Sequence, residues 1–158
     1  MNILFVCLGN ICRSPTVEGV ARQLAAREAP QLALTFDSAG TAGYHIGDAP
    51  DAHSQRHARA RGYDISGLRA RQLTVQDFHR FDLLLAMDEE NLAELRALAP
   101  LGHAQRAQLF LSYLADRGAA AVPDPYYGGP TDFEIVLDLA EQGSRGLFRV
   151  LSGVSRAG

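Results

Sequence analysis

Both cysteines of the chain lie near its start, in the stretch VCLGNICRSP at residues 6–15. Cys7 ends an apolar run, Gly9 permits a tight turn, and Arg13 and Ser14 close the loop. A loop between a strand and a helix presents unpaired backbone N–H groups at the positive end of the helix dipole, where oxyanions bind. Arg13 can add two parallel charged hydrogen bonds to the same anion. Because this field also favours the thiolate form of Cys7, the stretch predicts an anion-binding loop with a nucleophile inside it.

The two cysteines carry different expectations. Taken alone, Cys7 could be a small buried hydrophobic residue, but its place with Gly9 and Arg13 between a strand and a helix favours the nucleophile. Cys12 is either structural or the partner of Cys7 in a reversible disulfide that forms during oxidation, and the spacing leaves both interpretations open. Two cysteines do not predict a disulfide framework.

The elements that position this loop follow from apolar runs and helical spacing. Strands are predicted at residues 2–6, 32–36, 81–86 and 108–111, and further helices at 51–61, 89–98 and 131–151. The first helix is predicted to begin at Ser14, the cap, with Pro15 in its first turn. Thr131 and Glu134 fit a capping box for the last helix.

Strands that alternate with helices predict an α/β fold, an open four-stranded parallel sheet with helices on both faces. Ligands of such sheets bind beyond the carboxyl ends of the strands, and the candidate phosphate-binding loop after the first strand lies there. A length of 158 residues suits one domain, residues 1–158, with a sizeable core.

Composition narrows the classes of function. The net charge of −3 provides no global positive field for nucleic acid, and the absence of lysine excludes Schiff bases and a Walker-type phosphate lysine. No signal peptide or membrane-spanning run is visible, so we expect a cytoplasmic protein without a membrane partner. The five histidines show no metal-ligand spacing, and neither a metal nor a cofactor is expected.

The loop Cys-Leu-Gly-Asn-Ile-Cys-Arg-Ser at residues 7–14 strongly resembles the phosphate-binding loop of the low-molecular-weight protein tyrosine phosphatases. Further segments resemble that family in the family's order, at residues 38–41, 44–47, 69–72, 81–82, 87–89 and 124–128. The resemblance covers nearly the whole chain. It implies a hydrolase without metal or cofactor that cleaves phosphotyrosine in proteins or peptides, and small aryl phosphates in vitro, through a phosphocysteine intermediate.

The resemblance also implies the catalytic roles. Cys7 would be the nucleophile, Arg13 the cation that holds the phosphate, and Asp124 of the matching Asp-Pro-Tyr-Tyr motif the general acid. Prolines on both sides hold Asp124 on a stiff backbone, although an aspartate between prolines, considered alone, is more typical of an ordinary turn.

The other site residues would bind or surround the substrate. Tyr126 and Tyr127 are candidate pocket walls that stack on a phenyl ring, and Tyr44 resembles the variable aromatic residue on the opposite rim. The loop residues expected to contact the phosphate group are Leu8, Gly9, Asn10, Ile11, Cys12 and Ser14.

Asn10 and Ser14 resemble the pair that keeps this loop in shape through side-chain hydrogen bonds. Many family members join a histidine to that network just before the Arg-Ala-Arg-Gln-like segment. Here Leu68 stands at that position, so we expect the network that supports the loop to differ.

Three other functions remain as alternatives. Thioredoxin-coupled arsenate reductases share the loop, but they pass a disulfide through later cysteines, and this chain has none after Cys12. Protein-arginine phosphatases resemble the loop with threonine where Ile11 stands and tend to carry phenylalanine where Tyr126 stands. A non-catalytic phosphate-binding module would have no need to retain Cys7, Arg13 and Asp124 together.

Overall fold

The computed structural model describes residues 1–114 and 121–153 and has a four-stranded sheet at its centre. Its strands are β1 (Asn2–Cys7), β2 (Thr35–Gly40), β3 (Leu83–Ala86) and β4 (Ala107–Leu109). All neighbouring strands are parallel, in the order β2-β1-β3-β4. The predicted α/β fold with an open parallel sheet is therefore confirmed.

Helices cover both faces of this sheet. They are α1 (Arg13–Glu28), α2 (Ala52–Ala60), α3 (Asp77–Arg80), α4 (Glu89–Leu98) and α5 (Pro130–Leu151), with 3-10 turns at Pro30–Leu32, Ala104–Arg106 and Phe110–Tyr113. In the described parts of the chain, no helix combines the length and the apolar character that crossing a bilayer requires.

Alternation along β1 divides the core into two layers. Ile3, Phe5 and Cys7 face the larger layer, which α1 and α5 close, whereas Leu4 and Val6 face the smaller layer beneath α4. Because β1 is central and buried on both faces, its residues form a continuous apolar run. Cys7 is thereby fixed at the carboxyl end of the most buried strand.

The second strand lies later in the chain than its apolar run predicts. Residues 32–36 were expected to be extended, but Pro30–Leu32 forms a 3-10 turn and Ala33 is left-handed, with φ of 50°. The strand is Thr35–Gly40, which pairs with β1 throughout its length. The prediction was wrong because polar residues take part in this strand. They are extended because they pair with β1, a long-range contact that an apolar run cannot reveal.

The predicted helix caps also differ from the structure. Helix α1 already includes Ser14, so this serine is not a cap, and its hydroxyl faces the loop instead. Helix α5 begins at Pro130, and Asp132 accepts the N–H of Gly129 at 2.8 Å. The predicted capping box of Thr131 and Glu134 was therefore wrong, because the helix starts one residue earlier and Glu134 pairs with α2.

Candidate active site

The loop between β1 and α1 curls around the sulfur of Cys7. The backbone N–H of Asn10 points to Cys7 Sγ at 3.2 Å, and Ser14 Oγ lies 3.0 Å from the same sulfur. Cys7 is only 3% exposed. Donors that converge on one point in this way form a site suited to an anion.

Asn10 holds the shape of the loop. Its φ of 58° is left-handed, a backbone conformation that residues other than glycine rarely adopt. Its amide nitrogen donates to Ser14 Oγ at 2.8 Å and to Ser38 Oγ at 3.0 Å, and its Oδ1 accepts the N–H of Arg71 at 2.9 Å. These three hydrogen bonds offset the cost of the strained backbone and turn its N–H toward the sulfur.

Arg13 stands at the start of α1 with its guanidinium buried. Its Nη1 donates to Asp88 Oδ2 at 2.6 Å and to the carbonyl of Val122 at 3.2 Å, while its Nη2 lies 3.6 Å from Asp124 Oδ2. Burial lowers the pKa of Arg13, but the hydrogen bond to Asp88 and the charges of Cys7, Asp88 and Asp124 together raise it above its usual value. The site therefore keeps a fixed cation beside the thiol.

Asp124 lies beside Arg13 in a loop that hydrogen bonds hold in place. Its Oδ1 accepts the N–H of Tyr126 at 3.1 Å, and the segment is anchored where the N–H of Val122 donates to the carbonyl of Met87 at 2.8 Å. The other oxygen, Oδ2, faces Arg13. The carboxyl group is nearly half exposed, so it can exchange protons with solvent and with a ligand.

A cleft of about 270 Å³ joins these groups. Its lining includes most of the predicted site residues: Cys7, Leu8, Gly9, Ile11, Cys12, Arg13, Tyr44, Asp124, Tyr126 and Tyr127. Asn10 and Ser14 do not line the cleft, because their side chains lie behind the loop. The structure therefore separates residues that face a ligand from residues that shape the loop.

Aromatic side chains form the rim of the cleft. Tyr126 and Tyr127 meet edge to face with ring centres 4.7 Å apart, and Tyr44 lines the same cleft with 77% of its surface exposed. His45, which the sequence analysis did not assign to the site, also lines the cleft. Its ring packs so close to Gly9 that a Cβ there would lie 3.2 Å from His45 Cδ2.

Cys12 differs from Cys7 in its surroundings. Both are free thiols. Burial raises the pKa of Cys12 to about 12, and the negative charges of Asp51 and Asp124 raise it further. The hydrogen bond from Ser54 lowers this pKa but only partly offsets the rise. Cys12 is thus held as a neutral thiol in the same cleft as Cys7.

Two acidic residues of the site were missed. Asp88 belongs to a segment that carries the resemblance, but nothing in its local sequence indicates that it reaches Arg13. Glu18 lies within the first helix, where it accepts hydrogen bonds from Ser38 and Arg22 at 2.6 Å each. Burial raises the pKa of Glu18, although Ser38 and Arg22 both oppose this. Only the fold brings these residues together.

Leu68 takes no part in the network, as the sequence analysis anticipated. It packs against the larger hydrophobic layer. The contacts of Asn10 run instead to Ser14, to Ser38 and to the backbone of Arg71.

Comparison with known proteins gives a consistent result. The family model described as low molecular weight phosphotyrosine protein phosphatase matches residues 2–156. The chain is 43% identical over 143 residues to the low molecular weight protein-tyrosine-phosphatase YfkJ of Bacillus subtilis, covering 90% of each protein. It is 41% identical over 136 residues to the human low molecular weight phosphotyrosine protein phosphatase, covering 85% of each.

Solved structures agree with the sequence relatives. A protein tyrosine phosphatase from Entamoeba histolytica, crystallised with Hepes in its active site, superposes with a TM-score of 0.90 at 35% identity, covering 97% of this chain and 98% of that one. The structure of YfkJ superposes with a TM-score of 0.89 at 40% identity, covering 97% and 95%. The similarity therefore extends over nearly the whole chain.

Proposed function

The chain belongs to the low molecular weight phosphotyrosine protein phosphatase family, and on that premise we propose that it hydrolyses phosphotyrosine in proteins through a phosphocysteine intermediate. It is a phosphoric monoester hydrolase. The observation that carries the mechanism is the presence of Cys7, Arg13 and Asp124 in one cleft. Together they provide a nucleophile, a fixed cation and an acid.

The first step transfers the phosphoryl group to sulfur. The Cys7 thiolate attacks phosphorus in line with the leaving oxygen, while Arg13 and the backbone N–H groups of the loop hold the other phosphate oxygens. As the S–P bond forms and the P–O bond breaks, Asp124 gives its proton to the phenolic oxygen.

The second step releases phosphate. Asp124, now a carboxylate, takes a proton from a water molecule that attacks phosphorus, and the S–P bond breaks to return the Cys7 thiolate. Ser14 stabilises that departing thiolate through its hydroxyl, 3.0 Å from the sulfur. Neither step needs a metal or a cofactor.

The rim is suited to an aryl phosphate. Tyr44, Tyr126 and Tyr127 surround an opening above Cys7, and their faces can stack on a phenyl ring while the phosphate reaches the loop. Leu8 and Ile11 add apolar surface at the same opening. This supports phosphotyrosine as the substrate over phosphoserine or phosphothreonine, whose phosphates are carried on shorter side chains.

Two further properties belong to the proposal. We place the enzyme in the cytoplasm, because a free thiol nucleophile is preserved in a reducing compartment. We also treat residues 1–158 as a single catalytic domain, since the family match extends over residues 2–156.

Hydrolysis of phosphotyrosine and phosphoarginine peptides, run side by side with EDTA present, tests the substrate class. We expect fast release from phosphotyrosine. Preference for phosphoarginine would overturn our interpretation of Ile11 and Tyr126 while leaving the nucleophile unchanged. No turnover of either peptide would favour a binding module.

The role of Asp124 is tested with two leaving groups. Asp124→Ala should lower kcat/KM for phenyl phosphate by about 10²–10⁴-fold, the usual contribution of a general acid. The loss should be much smaller for p-nitrophenyl phosphate, whose leaving group needs no proton. An equal loss for both substrates would show that Asp124 has a structural role and is not the acid.

A further inference from the structure

Glu18 is a buried carboxylate that the phosphatase mechanism does not use. It is 2% exposed, and a carboxylate is rarely this buried without partners. Ser38 Oγ donates to its Oε1 at 2.6 Å, and Arg22 Nη2 donates to its Oε2 at 2.6 Å. In the ion pair of Glu18 and Arg22, the Glu18 side chain is therefore buried, whereas the Arg22 side chain is half exposed at the surface.

Hydrogen bonds continue from Glu18 to the nucleophile. Ser38 Oγ, which donates to Glu18, accepts a hydrogen of the Asn10 amide at 3.0 Å. The same amide nitrogen donates to Ser14 Oγ at 2.8 Å, and that oxygen lies 3.0 Å from Cys7 Sγ. The connection from Glu18 to the sulfur is unbroken.

The charge of Glu18 fixes the direction of the first hydrogen bond in this connection, the one from Ser38. An ionised carboxylate can only accept, so the Ser38 hydroxyl donates to it and leaves its lone pairs for the Asn10 amide. Because the amide donates to Ser14 as well, the hydrogen of Ser14 remains free for the Cys7 thiolate. A protonated Glu18 could donate to Ser38, whose own hydrogen would then oppose the amide hydrogens of Asn10.

The surroundings of Glu18 leave its charge dependent on Arg22. Burial raises the pKa of Glu18, and the carboxylate of Asp37 on β2 acts in the same direction. Ser38 and Arg22 both favour the ionised form. Asp37 is itself paired with Arg71, 3.1 Å away. Between Ser38 and Arg22, Arg22 is the charged group.

We propose that Arg22 is a positioning residue of this phosphatase: by pairing with Glu18 it keeps the carboxylate ionised, and so keeps Ser38 as an acceptor that holds the Asn10 amide in place, the amide that leaves the hydrogen of Ser14 to the Cys7 thiolate. A second hydrogen bond, from Arg22 Nη2 to the carbonyl of Phe36 at 2.9 Å, holds the guanidinium in place. Helix α1 thus supplies a charged group to a network in which Leu68 has no polar group to offer. The inference rests on the proposed function for its effect on turnover.

The test compares Arg22→Gln with Arg27→Gln, a matched loss of one positive charge from the exposed surface of the same helix. Two pH profiles are measured for each, kcat/KM for p-nitrophenyl phosphate and the rate at which iodoacetamide alkylates Cys7, localised by fragment-ion mass spectrometry. In Arg22→Gln the acid limb of both profiles should move to higher pH, with about a tenfold loss for each pH unit of displacement. Above neutral pH both variants should approach the wild type.

Further variants separate positioning from folding. Arg22→Lys should restore the acid limb, because it keeps the charge beside Glu18. Glu18→Gln should lower kcat/KM across the pH range, and adding Arg22→Gln to it should change nothing more. Thermal melts confirm that each variant is folded.

Two results would overturn the proposal. One is an Arg22→Gln variant whose profiles match those of Arg27→Gln, and the other is a loss of equal size at every pH, which a purely structural role predicts. If the wild type hydrolyses no aryl phosphate, the proposed function fails, yet the alkylation profile still decides the role of Arg22.

Discussion

Arg13 Nη1 lies 2.6 Å from Asp88 Oδ2, and the other oxygen of the same carboxylate accepts the N–H of Asn91 at 2.8 Å. Asp88 therefore joins the buried guanidinium of Arg13 to the start of α4. Because one nitrogen of the guanidinium is tied in this way, the group cannot rotate, and its other nitrogen stays turned toward Asp124 and the cleft. This contact sets the direction in which Arg13 faces the cleft.

We expect Asp88→Asn to lower kcat/KM for aryl phosphates by about 10-fold or more, since hydrogen bonds between charged groups contribute about 1.5–3 kcal/mol. Asparagine also caps helices well, so the melting temperature should change little, whereas Asp88→Ala should lose about 1 kcal/mol of stability as well. Glu90→Gln, which removes another carboxylate from the same helical turn, is the control. Unchanged kinetics in Asp88→Asn would show that Arg13 orients itself without this partner.

Gly40 at the end of β2 permits the close approach of the catalytic loop. A Cβ at this position would lie 2.7 Å from the carbonyl oxygen of Leu8, which is backbone and cannot give way as a side chain does. Gly40→Ala should therefore cost about 1–3 kcal/mol of stability and lower kcat/KM, because the loop must shift. At Gly67 a Cβ would meet nothing within 4 Å, so Gly67→Ala should leave both quantities near the wild type. Urea unfolding and steady-state kinetics measure the pair, and equal behaviour of the two variants would contradict the prediction.

Much of the fold could be predicted from local sequence because its strands are short and buried. The run at residues 2–6 and the helix at 89–98 were located to within one residue. The second strand was misplaced, since Asp37 and Ser38 enter the ladder through pairing with β1, which no local pattern encodes. The cap of α5 was misplaced because Thr131 and Asp132 both suit a helix start.

The residues of the candidate site also differ in how far local sequence predicts them. Cys7 and Arg13 lie within one turn-and-helix motif, and their chemistry follows from residues that are close in sequence. Asp88 contacts Arg13 across 75 positions, and Ser38 contacts Asn10 across 28, so only the parallel sheet brings them together. His45 reaches Gly9 for the same reason. The long-range contacts of Asp88, Ser38 and His45 were therefore harder to predict than the loop itself.

Strain and hydrogen bonding at Asn10 can be separated by two substitutions. Asn10→Ala keeps the strained φ and loses the amide bonds, whereas Asn10→Gly loses the bonds but adopts this conformation freely. We expect the glycine variant to be more stable by about 1 kcal/mol, because a left-handed residue with a Cβ costs about 1–2 kcal/mol. Both should lose kcat/KM, since Ser14 and Ser38 lose their donor.

Ala33 provides the control for this comparison. It is also left-handed, with φ of 50°, and it lies in the turn before β2. Ala33→Gly should raise the free energy of unfolding through relief of the same strain and leave kinetics unchanged. Wild-type kcat/KM in Asn10→Gly would show that backbone conformation alone shapes the loop.

The two cysteines should differ sharply in reactivity in the folded enzyme. Burial raises the pKa of Cys12 from 9.0 to about 12, so at neutral pH its thiolate is about a thousandfold scarcer than that of an unperturbed thiol, and the thiolate is the reactive form. Alkylation near pH 8 should therefore give a single adduct on Cys7, which inorganic phosphate suppresses by occupying the loop. In guanidinium chloride both cysteines should react.

The raised pKa of Cys12 also means that the folded state binds more protons than the unfolded state between about pH 9 and 12. Cys12 should therefore lower the free energy of unfolding as pH rises through that range, and Cys12→Ala should remove this part of the loss. Oxidation would then have to begin at Cys7, with Cys12 following as the second thiol of any disulfide. Native alkylation of Cys12 at a rate comparable to that of Cys7 would contradict this order.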